Sequence, residues 1–178
     1  MKGPSSSLWK KFQSEYVRSS VREGVRPDGR SSLSCREVDV RLIRGEGEAV
    51  AEASFGATQC LGLARCEVTD EADDVGGMVA VSVDVAAHLG EPAWGPELSR
   101  TVHGLVTRSV DREALSVVAG SSAWVVSVHV HVLAFDGNVL DCALMAAMAA
   151  VRHLRRGKAD VDRQRRDDDE KDDDEKDD

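Results

Sequence analysis

Long apolar runs are missing from this sequence of 178 residues. A membrane-spanning helix needs about 20 consecutive apolar residues, so we expect no such helix in this chain. No apolar stretch of about 7–15 residues follows the opening residues 1–5, and we therefore expect no secretory signal. The length is sufficient for one medium domain with its own hydrophobic core.

Two motif classes are missing as well. None of the four cysteines lies in a C-x-x-C spacing, which argues against a zinc ribbon or a thioredoxin-like site; they are Cys35, Cys60, Cys66 and Cys142. Small buried or half-buried thiols in a reducing compartment are the simpler interpretation, and the cytoplasm or nucleus follows from it. No G-x-x-x-x-G-K-[ST] sequence is present, so the glycines at 45, 47, 76 and 77 indicate turns.

Charge is concentrated at the C-terminus. Residues 167–178 contain ten acids and two lysines, so they carry −8 of the formal net charge of −9. The rest of the chain is close to neutral in sum, and its overall acidity does not exclude a nucleic-acid partner. We predict that residues 159–178 form a disordered tail, basic and then acidic, because like charges repel and nothing apolar offsets the ordering entropy.

Residues 1–24 are predicted to form a helical arm. Leu8, Trp9, Phe12 and Tyr16 recur on one helical face in a chain with only 4% aromatic residues. Such a stripe packs either on the chain's own domain or on a neighbouring subunit.

Beyond the arm, the periodicity predicts an α+β domain with helices on a mostly antiparallel sheet. Alternation predicts strands over about 38–43, 48–55, 59–68, 78–85 and 123–135. Helical spacing predicts helices over about 96–111 and 139–155. In the first of these helices, Leu98, Val102, Leu105 and Val106 lie on one face.

Several motifs, in order along the chain, resemble the RNase PH family. Arg26-Pro27-Asp28-Gly29-Arg30 matches the family's opening R-x-D-G-R, and residues 56–68 resemble its next conserved strand. More specific are residues 110–120, then Trp124, then Phe135-Asp136-Gly137-Asn138-Val139-Leu140-Asp141, with His153-Leu154-Arg155-Arg156 at the end. Together, from about Val25 to Lys158, they look most like the polymyositis/scleroderma autoantigen type of non-catalytic exosome ring subunit.

The resemblance implies an RNase PH-like, ribosomal protein S5 domain 2-like α+β fold over residues 25–158. These residues correspond to the first half of the family's domain, and we expect its C-terminal half to be missing. The implied setting is a six-membered ring whose central channel passes RNA. The implied partners are other RNase PH-like ring subunits, S1/KH-type cap subunits and RNA, with no membrane, in the nucleus (including the nucleolus) and the cytoplasm. The implied role is structural, in 3′–5′ RNA processing and degradation, including rRNA maturation and mRNA turnover.

Catalysis is not expected from the turn that carries the family motif, Asp136, Gly137, Asn138 and Asp141. Active relatives have G-G-T-R-T-A here, whereas Leu140 takes the arginine position and Asp141 a threonine position in this chain. A carboxylate at roughly 5 Å opposes a phosphate by several kcal/mol in a partly desolvated site. The same acids favour the start of a helix, which is their simpler role. The acids that active relatives use lie in the half missing here, so we expect no catalytic residue and no cofactor.

A ring channel holds RNA through its phosphates, for which arginine is the expected ligand. By the resemblance, the candidate contacts are Arg108, Arg100 and Arg65; solvated arginines without RNA contact are the simpler interpretation. An equal alternative is the basic patch formed by Arg152, Arg155 and Arg156, where the acidic tail competes with RNA if it folds back.

His129 and His131 share a strand face and are the one pair suited to a metal. No third ligand is evident, so a polar or interface-facing surface is the simpler interpretation and we expect no metal site. Two alternative functions stay open. One is a phosphorolytic 3′–5′ exoribonuclease of RNase PH type, which Leu140 disfavours. The other is a truncated product without a ring role, whose acidic tail binds basic proteins.

Overall fold

The computed structural model describes residues 6–26, 28–44, 47–69, 76–89, 93–118 and 121–155. The predicted tail from 159 onwards lies outside these residues, as do the side chains of Leu8 and Trp9. The chain divides into two compact units, the first up to Arg36 and the second from Glu37.

The first unit is built on a single helix, α1 (Ser6–Arg22), as the sequence predicts. The helix ends where Gly24 adopts a left-handed conformation with φ 71°. The Gly24 N–H donates to the Val21 carbonyl at 3.1 Å, and the Val25 N–H donates to the Ser20 carbonyl at 2.9 Å. Glycine is favoured at this position because it takes positive φ without a steric penalty. Phe12 and Tyr16 are 62% and 52% exposed.

The second unit is a six-stranded sheet with two helices. Its elements are β1 (Val38–Arg44), β2 (Glu48–Phe55), β3 (Thr58–Thr69), β4 (Met78–Val85), α2 (Gly95–Ser109), β5 (Ser116–Val118), β6 (Ser122–Ala134) and α3 (Val139–His153). The strand order is β1-β2-β3-β6-β4, and β5 pairs with β6. All neighbours are antiparallel except β4 and β6, which are parallel.

These elements confirm the predicted α+β pattern. Strands 48–55 and 78–85 have the predicted bounds, and the other predicted strands and the helix starts lie within one residue of the observed ones. The short strand β5 was not predicted, because three residues are too few to show a periodicity. The helix α2 ends at Ser109, two residues before the predicted end, since Val110 takes an extended conformation with ψ 127°.

The core lies between the sheet and the two helices. Alternate residues of the central strand β6 are fully or nearly buried, namely Val126, Val128, Val130 and Val132. The buried face of α3 consists of small residues: Cys142, Ala143, Ala146, Ala147 and Ala150. This face lets the helix approach β3 so closely that a Cβ on Gly62 would lie 2.4 Å from the Ala146 carbonyl oxygen.

Helix α2 buries most of the apolar face that its spacing predicts. Leu98, Val102 and Val106 are buried, whereas Leu105 on the same face is 40% exposed. The helix lies over β4, which is the edge strand of the sheet. A strand at the edge of a sheet covers less of a helix than the middle of the sheet does, so part of the apolar face of α2 stays exposed.

The opposite face of the sheet carries a mixture of polar and apolar side chains. One row across it runs Glu52, Leu61, His131 and Asp84, in the register of neighbouring strands. Among the described residues of the second unit, no helix packs on this face. None of the helices in the described ranges has the length and apolar composition to cross a membrane.

We predict that Gly62→Ala destabilises the second unit by about 1–3 kcal/mol, because the added methyl group meets helix backbone that cannot move without displacing α3. Urea unfolding followed by circular dichroism measures this change. The matched control is Gly104→Ala in α2, whose new Cβ meets only the end of the Arg108 side chain, at 3.2 Å. This control should be neutral or stabilising, since alanine is favoured in helices. Equal stability of the Gly62→Ala variant and the wild type would contradict the close approach.

Candidate functional site

The turn between β6 and α3 contains most of the family-motif residues of the second unit. Gly137 and Asn138 both adopt positive φ, at 87° and 57°, which turns the chain sharply from the strand into the helix. Asparagine is one of the few residues other than glycine that tolerates this conformation. Asn138 is the N-cap of α3, and its side chain makes no capping hydrogen bond.

The hydroxyl of Thr58 fixes this turn against the start of β3. Its Oγ1 donates to the Gly137 carbonyl oxygen at 2.7 Å and accepts from the Asp136 N–H at 2.9 Å. Thr58 is fully buried. One hydroxyl therefore serves both backbone groups of the turn, 78 and 79 residues away in sequence.

The electrostatics of the turn are acidic. Asp136 and Asp141 are exposed, and Asp141 lies in the first turn of α3. A carboxylate there interacts favourably with the positive end of the helix dipole. Leu140 is partly buried and packs against the hydrophobic core. Its side chain therefore supplies no cation to the start of the helix.

In the first unit, the R-x-D-G-R residues form a turn held by its own charges. The Asp28 carboxylate accepts from Arg30 Nη2 and Nε at 2.7 and 2.9 Å, and Arg36 lies 3.9 Å away. The hydrogen bond from the Arg30 side chain lowers the pKa of Asp28 from its ordinary value. Arg26 Nη2 donates to the Ser32 carbonyl at 2.8 Å. Gly29 takes φ 83°, and its N–H donates to the Arg26 carbonyl at 2.9 Å.

These contacts are sufficient to explain the motif as a structural element. Pro27 lies outside the described residues. Each of the other four motif residues contributes a contact or a backbone conformation that closes the loop after α1.

The three arginines predicted to contact RNA do not lie together. Arg65 is on the open face of the sheet, where its Nη2 and Nε lie 2.7 and 2.8 Å from the Glu48 carboxylate. Arg108 is exposed near the end of α2, and its Nε donates to the Gly104 carbonyl at 2.8 Å. Arg100 is exposed about 12 Å further back along the helix. Within the described ranges it makes no hydrogen bond or ion pair.

Further arginines lie where α2 and α3 end. Arg112, which was not singled out from the sequence, donates from Nε to the Gly77 carbonyl at 2.7 Å, next to the start of β4. Arg152 lies in the last turn of α3 and Arg155 just beyond it, both exposed. Acids accompany them, since Asp111 and Glu113 follow Arg108 closely and are exposed. The end of α2 therefore has mixed charge.

The two histidines of β6 face neighbours on β4. His129 Nδ1 lies 2.7 Å from Ser82 Oγ, and His131 Nδ1 lies 3.8 Å from the Asp84 carboxylate. In the part of the chain that the structure describes, no three His, Cys, Asp or Glu side chains come together as a possible metal site. The histidines therefore have polar neighbours that account for their position on the sheet.

The cysteines are free thiols in the structure, and three of the four are buried or half-buried as expected. Cys35 is the exception, because it is exposed in the first unit. Cys60 and Cys142 are fully buried between β3 and α3. The neighbouring Cys142 thiol and burial raise the pKa of Cys60, so this thiol stays protonated and packs as a small apolar residue.

Comparison with known proteins identifies the family of this chain. Residues 34–156 match the profile of the RNase PH family, described as the 3′ exoribonuclease family, domain 1. The chain therefore belongs to the RNase PH family. The predicted family and the predicted RNase PH-like fold are both confirmed.

Within that family, the chain is similar to exosome components. It is 30% identical over 153 residues to exosome complex component RRP45 of Danio rerio, covering 79% of this chain and 38% of the relative. It is 28% identical over 158 residues to exosome complex component rrp45 of Schizosaccharomyces pombe, covering 83% of this chain and 54% of the relative. The chain thus spans between about a third and about half of the length of these relatives.

A solved structure gives the same result for the fold. The Archaeoglobus fulgidus exosome with RNA bound to the active site contains a chain with a TM-score of 0.67 and 28% identity to this one. The similarity covers 83% of this chain and 63% of that chain. The resemblance to the autoantigen type of exosome ring subunit, inferred from the motifs, is confirmed by the similarity to RRP45 proteins.

We predict that Thr58→Val destabilises the second unit by about 1–3 kcal/mol, because it removes the hydroxyl from a buried position between two backbone groups. Thr58→Ser is the matched control, since it keeps the hydroxyl and loses only a methyl group. Thermal unfolding of the two variants separates the contributions. If the valine variant is as stable as the wild type and only the serine variant is destabilised, packing of the methyl group and not the hydrogen bonds fixes the turn.

Proposed function

We propose that this chain is a non-catalytic subunit of an RNA exosome ring, where it contributes structure and contacts the path of the RNA. It supports 3′–5′ RNA processing and degradation, including rRNA maturation and mRNA turnover. Its partners are other RNase PH-like ring subunits, S1/KH-type cap subunits and RNA. It acts in the nucleus, including the nucleolus, and in the cytoplasm.

The observation that carries this proposal is the similarity to RRP45 proteins over about four fifths of the chain. These proteins are named as exosome components, and the archaeal structure with a TM-score of 0.67 is itself an exosome. The fold alone does not imply a function, but similarity of sequence and fold to components of one complex supports the same assembly.

The non-catalytic part of the proposal is supported by the turn between β6 and α3. Phosphorolysis requires inorganic phosphate to be bound beside the RNA, which favours cations and free N–H groups at a helix start. Here Leu140 packs against the core, and the exposed carboxylates of Asp136 and Asp141 are near the start of α3. Two carboxylates repel a phosphate at this position.

A phosphorolytic exoribonuclease is the second candidate. It is favoured by the similarity to the archaeal exosome whose structure has RNA bound to the active site. Both candidate functions have RNA as the ligand and the exosome ring as the assembly. They differ in whether this chain releases nucleoside diphosphates.

We expect the tagged full-length chain to recover other ring subunits on purification and to release no nucleoside diphosphate from RNA in the presence of inorganic phosphate. Mass spectrometry of the purified complex and chromatography of the products measure the two outcomes. Phosphate-dependent release that disappears in Asp136→Asn or Asp141→Asn would establish the enzyme instead. Recovery of no ring subunit would favour a chain without a ring role.

Among the arginines, we expect Arg108→Ala and Arg100→Ala to weaken RNA binding to a similar extent for different sequences. Each lost phosphate contact should lower the slope of log K against log salt by about 0.7 for single-stranded RNA. Arg65→Ala should have a smaller effect, because Glu48 already neutralises Arg65. Fluorescence anisotropy with labelled RNA over a series of salt concentrations measures these slopes.

The matched control is Arg41→Ala, since Arg41 is exposed on the edge strand β1 and pairs with Asp39 at 3.0 Å. It should leave the affinity and the slope unchanged. If it weakens binding as much as Arg108→Ala does, the contacts on α2 are not specific to the RNA path.

A further inference from the structure

Strand β1 leaves one edge of the sheet open. It pairs with β2 on one side, and within the described residues no strand pairs with its other side. The pairing with β2 keeps one continuous register, without a bulge. The strand also contains neither proline nor lysine, which are common on strands whose edges are kept from pairing. It therefore offers a free edge to which an extended chain can add.

The backbone groups on this open edge belong to Val38, Val40 and Leu42. Just before β1, the Glu37 carbonyl accepts from the Gly56 N–H at 2.9 Å, so the backbone groups of Glu37 point towards β2. In an antiparallel strand the N–H and C=O of one residue point to the same side, and successive residues alternate. Val38 and every second residue after it consequently direct their N–H and C=O groups away from β2.

The same three residues expose apolar side chains. They lie opposite buried residues of β2, so they continue the core face of the sheet to its edge. Helix α3, which covers that face, reaches β1 but leaves Val38, Val40 and Leu42 exposed by 50%, 36% and 50%. A further strand beside β1 would remove part of this apolar surface from water, which favours pairing.

The charged residues of β1 make the strand complementary to itself. Asp39 and Arg41 point to the other face of the sheet, where both side chains are exposed and lie 3.0 Å apart. Val40 separates them in sequence. If a second copy runs antiparallel with Val40 opposite Val40, Asp39 of each chain faces Arg41 of the other. Opposite charges directly across a strand pair are stabilising, whereas like charges there are destabilising.

These charges also select the register. Because side chains alternate, only shifts by two residues keep the apolar side chains on one face. One such shift places Arg41 opposite Arg41 of the second copy, and the shift in the other direction places Asp39 opposite Asp39. In the register centred on Val40 the outward backbone groups match as well, since Val38 then lies opposite Leu42. Each of these pairs exchanges both N–H···O=C hydrogen bonds.

From these observations we propose that the open edge of β1 is the site at which two copies of this chain associate. The two β1 strands pair antiparallel about a two-fold axis at Val40 and join the two sheets into one. A contact about a two-fold axis is complete with two copies, so the pairing closes the free edge and does not continue into a fibre.

This association is a property of the chain itself and goes beyond the proposed exosome role. Helix α2, which carries Arg100 and Arg108, lies over β4 at the other edge of the sheet. The pairing of β1 therefore leaves these arginines available to RNA. Recovery of ring subunits on purification tests the exosome role separately.

Sedimentation velocity of the full chain measures the association. Because one strand pair is a small interface, we expect a monomer–dimer equilibrium within a concentration range of about 1–100 μM. Asp39→Arg and Arg41→Asp, made singly, each replace two attractive pairs by two repulsive pairs. Each single variant should therefore raise the dimer Kd about tenfold or more.

Two matched controls use the same charged residues. An equal mixture of the two single variants should form a heterodimer, because each arginine of one chain then faces an aspartate of the other. The variant with both substitutions should dimerise as the wild type does, since it only exchanges the two charges. Circular dichroism of all variants checks that the sheet is unchanged.

Val40→Pro gives a test that does not depend on charge. It removes an N–H that points away from β2, so the pairing of β1 with β2 keeps its hydrogen bonds, and proline is tolerated at such edge positions. The variant should remain folded and monomeric. The proposal is overturned if the wild type is monomeric over the whole concentration range. It is equally overturned if the wild type dimerises and the single charge variants and Val40→Pro do so as strongly, because the contact then lies elsewhere, or if association continues beyond two copies.

Discussion

Gly62 lies where the backbone of α3 passes closest to the sheet, and a Cβ at this position would come within 2.4 Å of the Ala146 carbonyl oxygen. The approach requires small residues on both sides, which explains the alanines at 143, 146, 147 and 150. Close packing of this kind gains dispersion contacts that a larger spacing would lose. Thr58, at the start of β3, holds the turn at Gly137 that precedes α3. The start of α3 and its closest approach to the sheet are therefore both set by β3.

The position of Leu140 follows from the same constraint. Once α3 lies this close to β3, a residue in its first turn that faces the sheet must be apolar, and Leu140 packs against the core. An arginine there would have to turn its charge away from the apolar core, because an unpaired buried charge is costly. The residues of the turn are therefore linked to the packing of the whole helix. The acids at 136 and 141 occupy exposed positions, where they favour the start of the helix.

Much of the fold followed from the sequence because alternation and helical spacing are local signals. The strands over 48–55 and 78–85 and the burial of Val126 to Val132 are set by side chains that alternate between two environments. The exposure of Leu105 was not predictable in this way, because it depends on α2 covering an edge strand. The pairing of Arg65 with Glu48 was not predictable either, because it depends on the register of β2 and β3, which brings together residues 17 positions apart. The sequence does not distinguish Arg112 from the other arginines, because its role depends on a hydrogen bond to the Gly77 carbonyl, 35 residues away.

The net charge of −9 conceals a division that matters more than the total. The charges of residues 1–166 nearly cancel in sum. Residues 1–36 have a surplus of five cations, and the residues after them have an excess of acids. At physiological ionic strength the Debye length is about 8 Å, so exposed charges further apart than this are largely screened from one another. The cations of α1 therefore act on a nearby phosphate through their own local field. A chain with an acidic total can in this way carry a cationic helix.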